Sequence, residues 1–195
     1  ARAAGPSIPG NAASSLAERA AGDERRHAVL CAELAAGYGA PAGDERSAAP
    51  AELAPPRLGP RERVLYEAVA ACCVTETESM GVLAELLARA RDPALRRALR
   101  TLARDEVHHS RLGWAHLAVE RERGEVAFLG PLLPPMLGGA AGPGLFAPAA
   151  PGGDDPALLA HGVLPHGLKR AVFARTLEEV VFPGLEALGV GAAPG

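Results

Sequence analysis

The sequence is poor in aromatic residues and cysteines, and it has no long apolar run. Aromatic side chains make up 4% of its 195 residues. Three cysteines, of which Cys72 and Cys73 are adjacent, do not form the framework of a disulfide-stapled domain. No apolar stretch approaches the roughly 20 residues of a membrane span, and the opening ARAAGPSIPG lacks the apolar segment of a signal peptide. We therefore expect a cytoplasmic protein with no membrane partner.

A strong excess of either charge is also lacking. The net charge is −3, and arginines are interspersed with acidic residues, so there is no basic stripe of the kind that binds nucleic acid. Apolar residues make up 48% of the chain, which is enough for one domain with a sizeable core. The composition thus predicts a globular protein with no nucleic-acid partner.

Runs of β-branched residues, which favour strands, are nearly absent. Alanine, leucine, arginine and glutamate, which favour helix, dominate three long segments: 12–36, 61–90 and 93–127. Asp92 is placed as the N-cap of the third segment, with Pro93 at its first position. A last helix is predicted over 167–182, ending near Pro183. The predicted fold class is all-α.

Proline and glycine are concentrated in one part of the chain. Residues 131–156 contain 7 prolines and 6 glycines, a composition that predicts no regular structure. The predicted organisation is a helical bundle over 1–130, a connection rich in proline and glycine over 131–165, and a C-terminal helix over 166–195 packed on the bundle.

A short motif occurs twice. The segment GDERRHAVLCAEL (22–34) parallels RDEVHHSRLGWAHL (104–117) at a constant offset of 82 residues. Each copy contains Glu-x-x-His preceded by Asp. The equivalent residues are Asp23, Glu24 and His27 in the first copy and Asp105, Glu106 and His109 in the second.

Helical periodicity places these groups within apolar stripes. Steps of three or four residues stay on one helix face, and both Glu-x-x-His pairs lie in the middle of such a stripe. In the second helix Glu76 lies in the middle of the apolar stripe. Glu78 is two residues further along, which rotates it by about 200° around the helix axis, so it should face away from the stripe. Clustered carboxylates repel one another unless cations neutralise them. Carboxylates with imidazoles are a ligand set for iron or manganese, and less specifically for zinc.

The chain resembles ferritin-like di-iron carboxylate proteins, especially bacterial ferritin-like domain proteins. CVTET (73–77), RDPALRRAL (91–99) and RDEVHHSRLGW (104–114) match their motifs in order and spacing. DERRH (23–27) is similar to the form found in ribonucleotide reductase small subunits and multicomponent monooxygenases. The resemblance covers about 12–125, and it implies a ferritin-like four-helix bundle that binds two iron ions, with manganese as the alternative metal.

The resemblance also implies roles for individual residues. Glu24 and Glu106 would bridge the metals, His27 and His109 would be terminal ligands, Glu76 would be a terminal carboxylate, and Asp23 and Asp105 would orient the imidazoles. The implied function is O₂-dependent redox chemistry or ferroxidase activity, with no catalytic residue assigned. The alternatives are a non-enzymatic metal-binding bundle and a structural or partner-binding bundle with a vestigial site.

The sequence departs from this family in one respect. These bundles have an earlier helix with a further Glu, and here ARAAGPSIPG reads as its remnant. The chain could be a fragment, the C-terminal helix could supply Glu178 or Glu179, or the site could be degenerate; a missing helix would expose a groove and favour a homodimer. The best apolar stripe of the C-terminal helix omits both glutamates, so we expect it to give no ligand. That stripe consists of Phe173, Leu177, Val180 or Val181, and Leu185.

Overall fold

The fold is all-helical in the computed structural model, which describes residues 10–40, 53–141, 145–148 and 151–191, with side chains from residue 17 onward. No strand occurs in these ranges, which confirms the all-α prediction. The α-helices are α1 (Gly10–Gly37), α2 (Pro60–Ala68), α3 (Glu76–Arg89), α4 (Pro93–Arg123), α5 (Leu133–Ala141), α6 (His166–Thr176) and α7 (Phe182–Ala187). The remnant predicted at the N-terminus lies almost entirely outside the described residues. None of the helices in the described ranges combines the length and hydropathy needed to cross a bilayer.

Two pairs of these helices are continuous, because π-helical turns join them. Val69–Thr75 connects α2 to α3, and Leu177–Val181 connects α6 to α7. Such widened turns are often found at functional sites. The first of them ends directly before Glu76.

The longest described helix, α4, starts as its sequence predicts. The Asp92 carboxylate accepts a hydrogen bond of 2.8 Å from the Leu95 amide, and Pro93 occupies the first turn. The cap and the proline together fix where this 31-residue helix begins. That start sets the position of the second Glu-x-x-His pair along the helix.

The apolar core has two parts. The larger part joins α2 and its π-helical turn to α4, α5 and the last helix, and a smaller cluster lies where α3 turns into α4. The helix α1 packs on α4, and within residues 17–40 its only buried side chains are Asp23 and His27. Two polar residues therefore occupy the positions where α1 is most deeply packed.

The prediction that 131–156 lacks regular structure is wrong for residues 131–141. Ala127–Leu132 forms a 3₁₀-helix that leads directly into α5. The two prolines at positions 134 and 135 lie in the first turn of α5, where the missing amide hydrogens have no intrahelical partner to lose. The buried side chains of Leu133 and Met136 then hold the helix on the core.

The last helix extends further than predicted, since α7 continues to Ala187. The Phe182 amide donates to the Leu177 carbonyl across the wide π-helical turn, and Pro183 follows in the first turn of α7. This arrangement accommodates a residue without an amide hydrogen.

The stripe predicted for the last helix is buried, with Val181 rather than Val180 as its third member. Phe173, Leu177 and Leu185 are the other buried members. Glu178 and Glu179 are exposed. The buried face of this helix therefore consists of apolar side chains and Thr176, and it does not include Glu178 or Glu179.

Candidate metal centre

The helices bring the five predicted ligands together. Glu24, Glu76, Glu106 and His109 each offer one ligand atom, and these four atoms lie within 4.8 Å of one another. The His27 Nδ1 atom lies 3.6 Å from a Glu24 oxygen and 3.5 Å from a Glu106 oxygen. The two imidazole centroids are 6.0 Å apart. Side chains from α1, α3 and α4 thus converge on one point, although their role as metal ligands stays a prediction.

The two copies of the repeated motif exchange partners across the α1–α4 contact. His27 Nε2 lies 3.3 Å from Asp105 Oδ2, and His109 Nε2 lies 3.2 Å from Asp23 Oδ2. Each aspartate therefore contacts the imidazole of the other helix rather than that of its own. All four side chains are buried. The pattern is reciprocal, as expected when two equivalent motifs cross with an approximate two-fold relation.

Both aspartates are held as carboxylates. Burial alone would raise the pKa of Asp23, but hydrogen bonds from the opposite imidazole and from Arg26 lower it below its ordinary value. Burial acts likewise on Asp105, and the Arg104 guanidinium and the opposite imidazole outweigh it, so its pKa is also lowered. An ionised aspartate can accept a hydrogen bond from Nε2–H of the opposite ring, and in the neutral tautomer with that proton the lone pair of Nδ1 is the one that a metal ion would bind.

The Nδ1 atoms of both rings face carboxylate oxygens. His109 Nδ1 lies 3.2 Å from a Glu24 oxygen and 3.2 Å from a Glu106 oxygen. Among the described residues, His27 Nδ1 and Glu106 Oε2 are buried atoms without a hydrogen-bond partner. Lone pairs that face one another in a buried place are unfavourable unless a proton or a metal cation lies between them. The donor set and these two buried atoms therefore fit a metal cluster.

Electrostatic repulsion acts within the cluster. Burial, followed by the hydrogen bond and charge of Glu106 and then the charge of Glu24, raises the pKa of Glu76 to about 9. Burial and the charges of Glu76 and Glu106 raise the pKa of the Cys72 thiol to about 11. The cluster without metal therefore holds at least one proton at neutral pH, and Cys72 beside it stays a neutral thiol.

Glu78 does not join the cluster, as the helical periodicity predicts. It is half-buried, burial raises its pKa, and the charge of Lys169 on α6 opposes that rise. The carboxylate of Glu78 thus interacts electrostatically with a residue of α6, and not with α4, which carries the second Glu-x-x-His pair. Glu178 and Glu179 are exposed and likewise absent from the cluster.

A glycine allows the close crossing beside the site. A Cβ atom added at Gly113 would lie 2.4 Å from the Cβ atom of Cys72 and 3.1 Å from backbone atoms of Cys72 and Cys73. Only a residue without a side chain lets α4 approach the π-helical turn so closely. Gly113 lies four residues after His109, so this contact sets the distance between the imidazole and Glu76.

Sequence reasoning missed a hydrogen-bonded chain that flanks the cluster. The hydroxyls of Thr77 and Ser110 are 3.0 Å apart, and the Trp114 indole donates a hydrogen bond of 3.3 Å to Thr77. Thr77 follows Glu76, and Ser110 follows His109. The only signal in the sequence is this adjacency, since single hydroxyl residues show no periodicity.

The cluster is open on one side. The Glu24 side chain is 53% exposed, and Glu76 is half-buried, whereas Glu106 and both imidazoles are buried. Solvent therefore reaches the cluster along α1. Small molecules and ions can approach from this direction.

Comparisons of the chain with protein-family models, with curated proteins and with solved structures gave no match. The function must accordingly be argued from the chemistry of the carboxylate–imidazole cluster.

Proposed function

We propose that this chain is a ferritin-like protein that binds two iron ions, or manganese in their place, and carries out O₂-dependent redox chemistry of the ferroxidase type. The observation that supports this most strongly is the reciprocal pairing of two Asp–His units, which turns both Nδ1 atoms toward the same carboxylates. A structural bundle has no need for such an arrangement, because apolar side chains would pack there at lower cost.

The distances support distinct ligand roles. Glu24 and Glu106 each face both imidazoles, as bridging carboxylates must. His27 and His109 would be terminal ligands, and Glu76 would complete the set as a terminal carboxylate. A pair of bound iron ions supplies the ability to exchange two electrons with O₂.

Other residues of the chain prepare this ligand set. Asp23 and Asp105 would accept the Nε2 proton of the opposite ring, so that Nδ1 would be the atom that binds the metal. Arg26 and Arg104 pair with these aspartates and offset their charge. Val69 and Cys73, in the π-helical turn that precedes Glu76, are fully buried in the apolar core.

The proposed centre would carry a net positive charge, so it can bind a further anionic ligand. Three glutamates carry three negative charges, whereas two divalent cations carry four positive charges. The fourth carboxylate of related bundles would make the cluster neutral, and no residue in the described part of the chain supplies it. An exogenous anion would supply the remaining negative charge, and it has access from the exposed Glu24 side.

The alternative is a bundle that holds or transfers metal without catalysis. The exposure of Glu24 favours it, because a ligand in contact with solvent lets metal exchange readily. Both candidates need the same ligands, and they differ in their response to O₂.

An anaerobic Fe(II) titration followed by a pulse of O₂ tests the proposal. We expect two Fe(II) per chain and O₂ consumption in the wild type, and loss of both in Glu106→Gln. Glu122→Gln, an exposed change on the same helix, is the matched control and should bind as the wild type does. Binding of two Fe(II) without O₂ consumption would favour the metal-holding alternative, and the absence of saturable Fe(II) or Mn(II) binding would refute both.

A further inference from the structure

An apolar cavity lies between the π-helical turn and α5, next to the cluster. It has a volume of about 320 Å³, and Glu76 is both a member of the cluster and part of the cavity wall. Ala70 of the π-helical turn and Met136, Gly139 and Ala140 of α5 lie on the other walls. The same carboxylate therefore borders the proposed metal centre and a partly open apolar cavity.

Small side chains create this space. The π-helical turn contributes Ala70 and Ala71, and α5, which crosses it, contributes Gly139 and Ala140. Larger residues at these positions would fill the volume between the two elements. A pocket of this kind, apolar with a few polar groups converging at one end, is the usual form of a small-molecule site.

The polar groups of the wall restrict the charge of a ligand. The Thr75 hydroxyl donates to the Ala70 carbonyl at 3.0 Å, so it is already used within its own helix. The Tyr66 side chain is buried, and burial raises the pKa of its hydroxyl, so it stays neutral. Among the described residues of the wall none is basic, and Glu76 is the only acid. An anionic ligand would therefore lose its hydration with no basic side chain on the described wall to compensate.

The volume restricts the size of a ligand. A dry apolar cavity of about 150 Å³ in another protein holds benzene. A cavity of about 320 Å³ is roughly twice as large, so it accommodates about 12 non-hydrogen atoms.

We propose that this cavity binds an uncharged, largely apolar molecule with one polar group directed at Glu76, and that this is the class of substrate the metal centre meets. The second half of this inference rests on the proposed function. The first half stands on the shape and chemistry of the cavity alone.

A matched pair of probes tests the ligand class. 1-Naphthalenemethanol is uncharged and has 12 non-hydrogen atoms, and 1-naphthoate has the same ring system with a carboxylate. Titrations of metal-free protein at pH 7.5, followed by naphthalene fluorescence, should show saturable 1:1 binding of the alcohol and at least about tenfold weaker binding of the acid. Equal affinity for the two, or no saturable binding of the alcohol, would overturn the proposal.

A matched pair of variants tests the location. Gly138 and Gly139 are neighbours on α5, and an added Cβ at either position would have no atom within 4 Å. Only Gly139 lies on the wall. Gly139→Leu should weaken alcohol binding at least about tenfold by occupying the cavity, whereas Gly138→Leu should not. Both changes replace a helical glycine, so equal melting temperatures will show that folding is not the cause. Equal binding by the two variants would place the ligand elsewhere.

A final titration separates this inference from the proposed function. With Mn(II) bound, saturating alcohol should alter the Mn(II) electron paramagnetic resonance spectrum, because ligand and metal share Glu76. An unchanged spectrum with Mn(II) bound and alcohol bound would overturn the link between cavity and metal. Failure of Mn(II) or Fe(II) to bind, with alcohol binding intact, would refute the proposed function and leave the cavity as a binding site.

Discussion

Replacing Glu76 with glutamine should stabilise the metal-free protein. The pKa of Glu76 is raised from 4.5 to about 9, first by burial and then by Glu106 and Glu24. Between these two pH values the unfolded chain releases a proton that the folded chain keeps. The free energy of unfolding therefore decreases as the pH rises through this window. The stability associated with the protonated Glu76 carboxyl is fully present only below pH 4.5. Glutamine has nearly the same shape but does not ionise, so its burial causes no such loss of stability as the pH rises.

The size of the effect follows from the same values. At pH 7 the pKa shift acts over about 2.5 pH units at about 1.36 kcal/mol each, which gives an upper limit of roughly 3 kcal/mol. Glu76 is only partly buried, so solvent screening reduces this to about 1–2 kcal/mol. For a chain of this size the melting temperature should rise by roughly 2–8 °C.

The assay is a set of thermal melts at pH 5, 7 and 8.5 in the presence of a chelator. Glu67→Gln, a change in the same continuous helix but outside the cluster, is the control. The advantage of Glu76→Gln over the wild type should grow with pH, and the control should show no such trend. On addition of Mn(II) the order should reverse, because metal binding stabilises the wild type more. A variant that melts at or below the wild-type temperature at every pH, with or without metal, would refute this electrostatic reasoning.

Other changes follow from single contacts. Asp105→Asn should lower the affinity for Mn(II) about 10–100-fold, measured by competition with a chelating dye, because the opposite imidazole loses its charged partner. Gly113→Ala should destabilise the protein by about 1–3 kcal/mol in chemical denaturation, since the new Cβ would lie 2.4 Å from a side-chain atom of the π-helical turn. Gly138→Ala, with no atom near the added Cβ, should be neutral or stabilising by up to about 1 kcal/mol. Glu178→Gln combined with Glu179→Gln should leave the Fe(II) stoichiometry unchanged, because both side chains are exposed.

The helices were predictable because their signals are local and repeated. A period near 3.6 over long segments, with Asp92 and Pro93 at one start, is sufficient to locate α1, α4 and the continuous helix between them. The same period predicts that Glu76 and Glu78 lie on different faces. The ferritin-like arrangement of these helices stays a prediction, since an all-α fold alone does not establish it.

The rest depends on contacts between distant parts of the chain. The helix α5 was missed because proline and glycine content does not reveal that Leu133 and Met136 pack on the core. The exchange of aspartate partners between α1 and α4 requires the crossing geometry of the two helices, which periodicity does not contain. The hydroxyls of Thr77 and Ser110 likewise become neighbours only when α3 packs on α4.

The most direct measurement of the central claim is anomalous diffraction at the iron edge from crystals grown anaerobically with Fe(II). Two peaks about 3.5–4 Å apart are expected between Glu24 and Glu106, each about 2 Å from the Nδ1 atom of one of the two imidazoles. Glu76 should contact one of the peaks. Crystals soaked in the same way with no anomalous peak at the cluster, or with peaks only at other positions, would contradict the assignment of a di-metal centre.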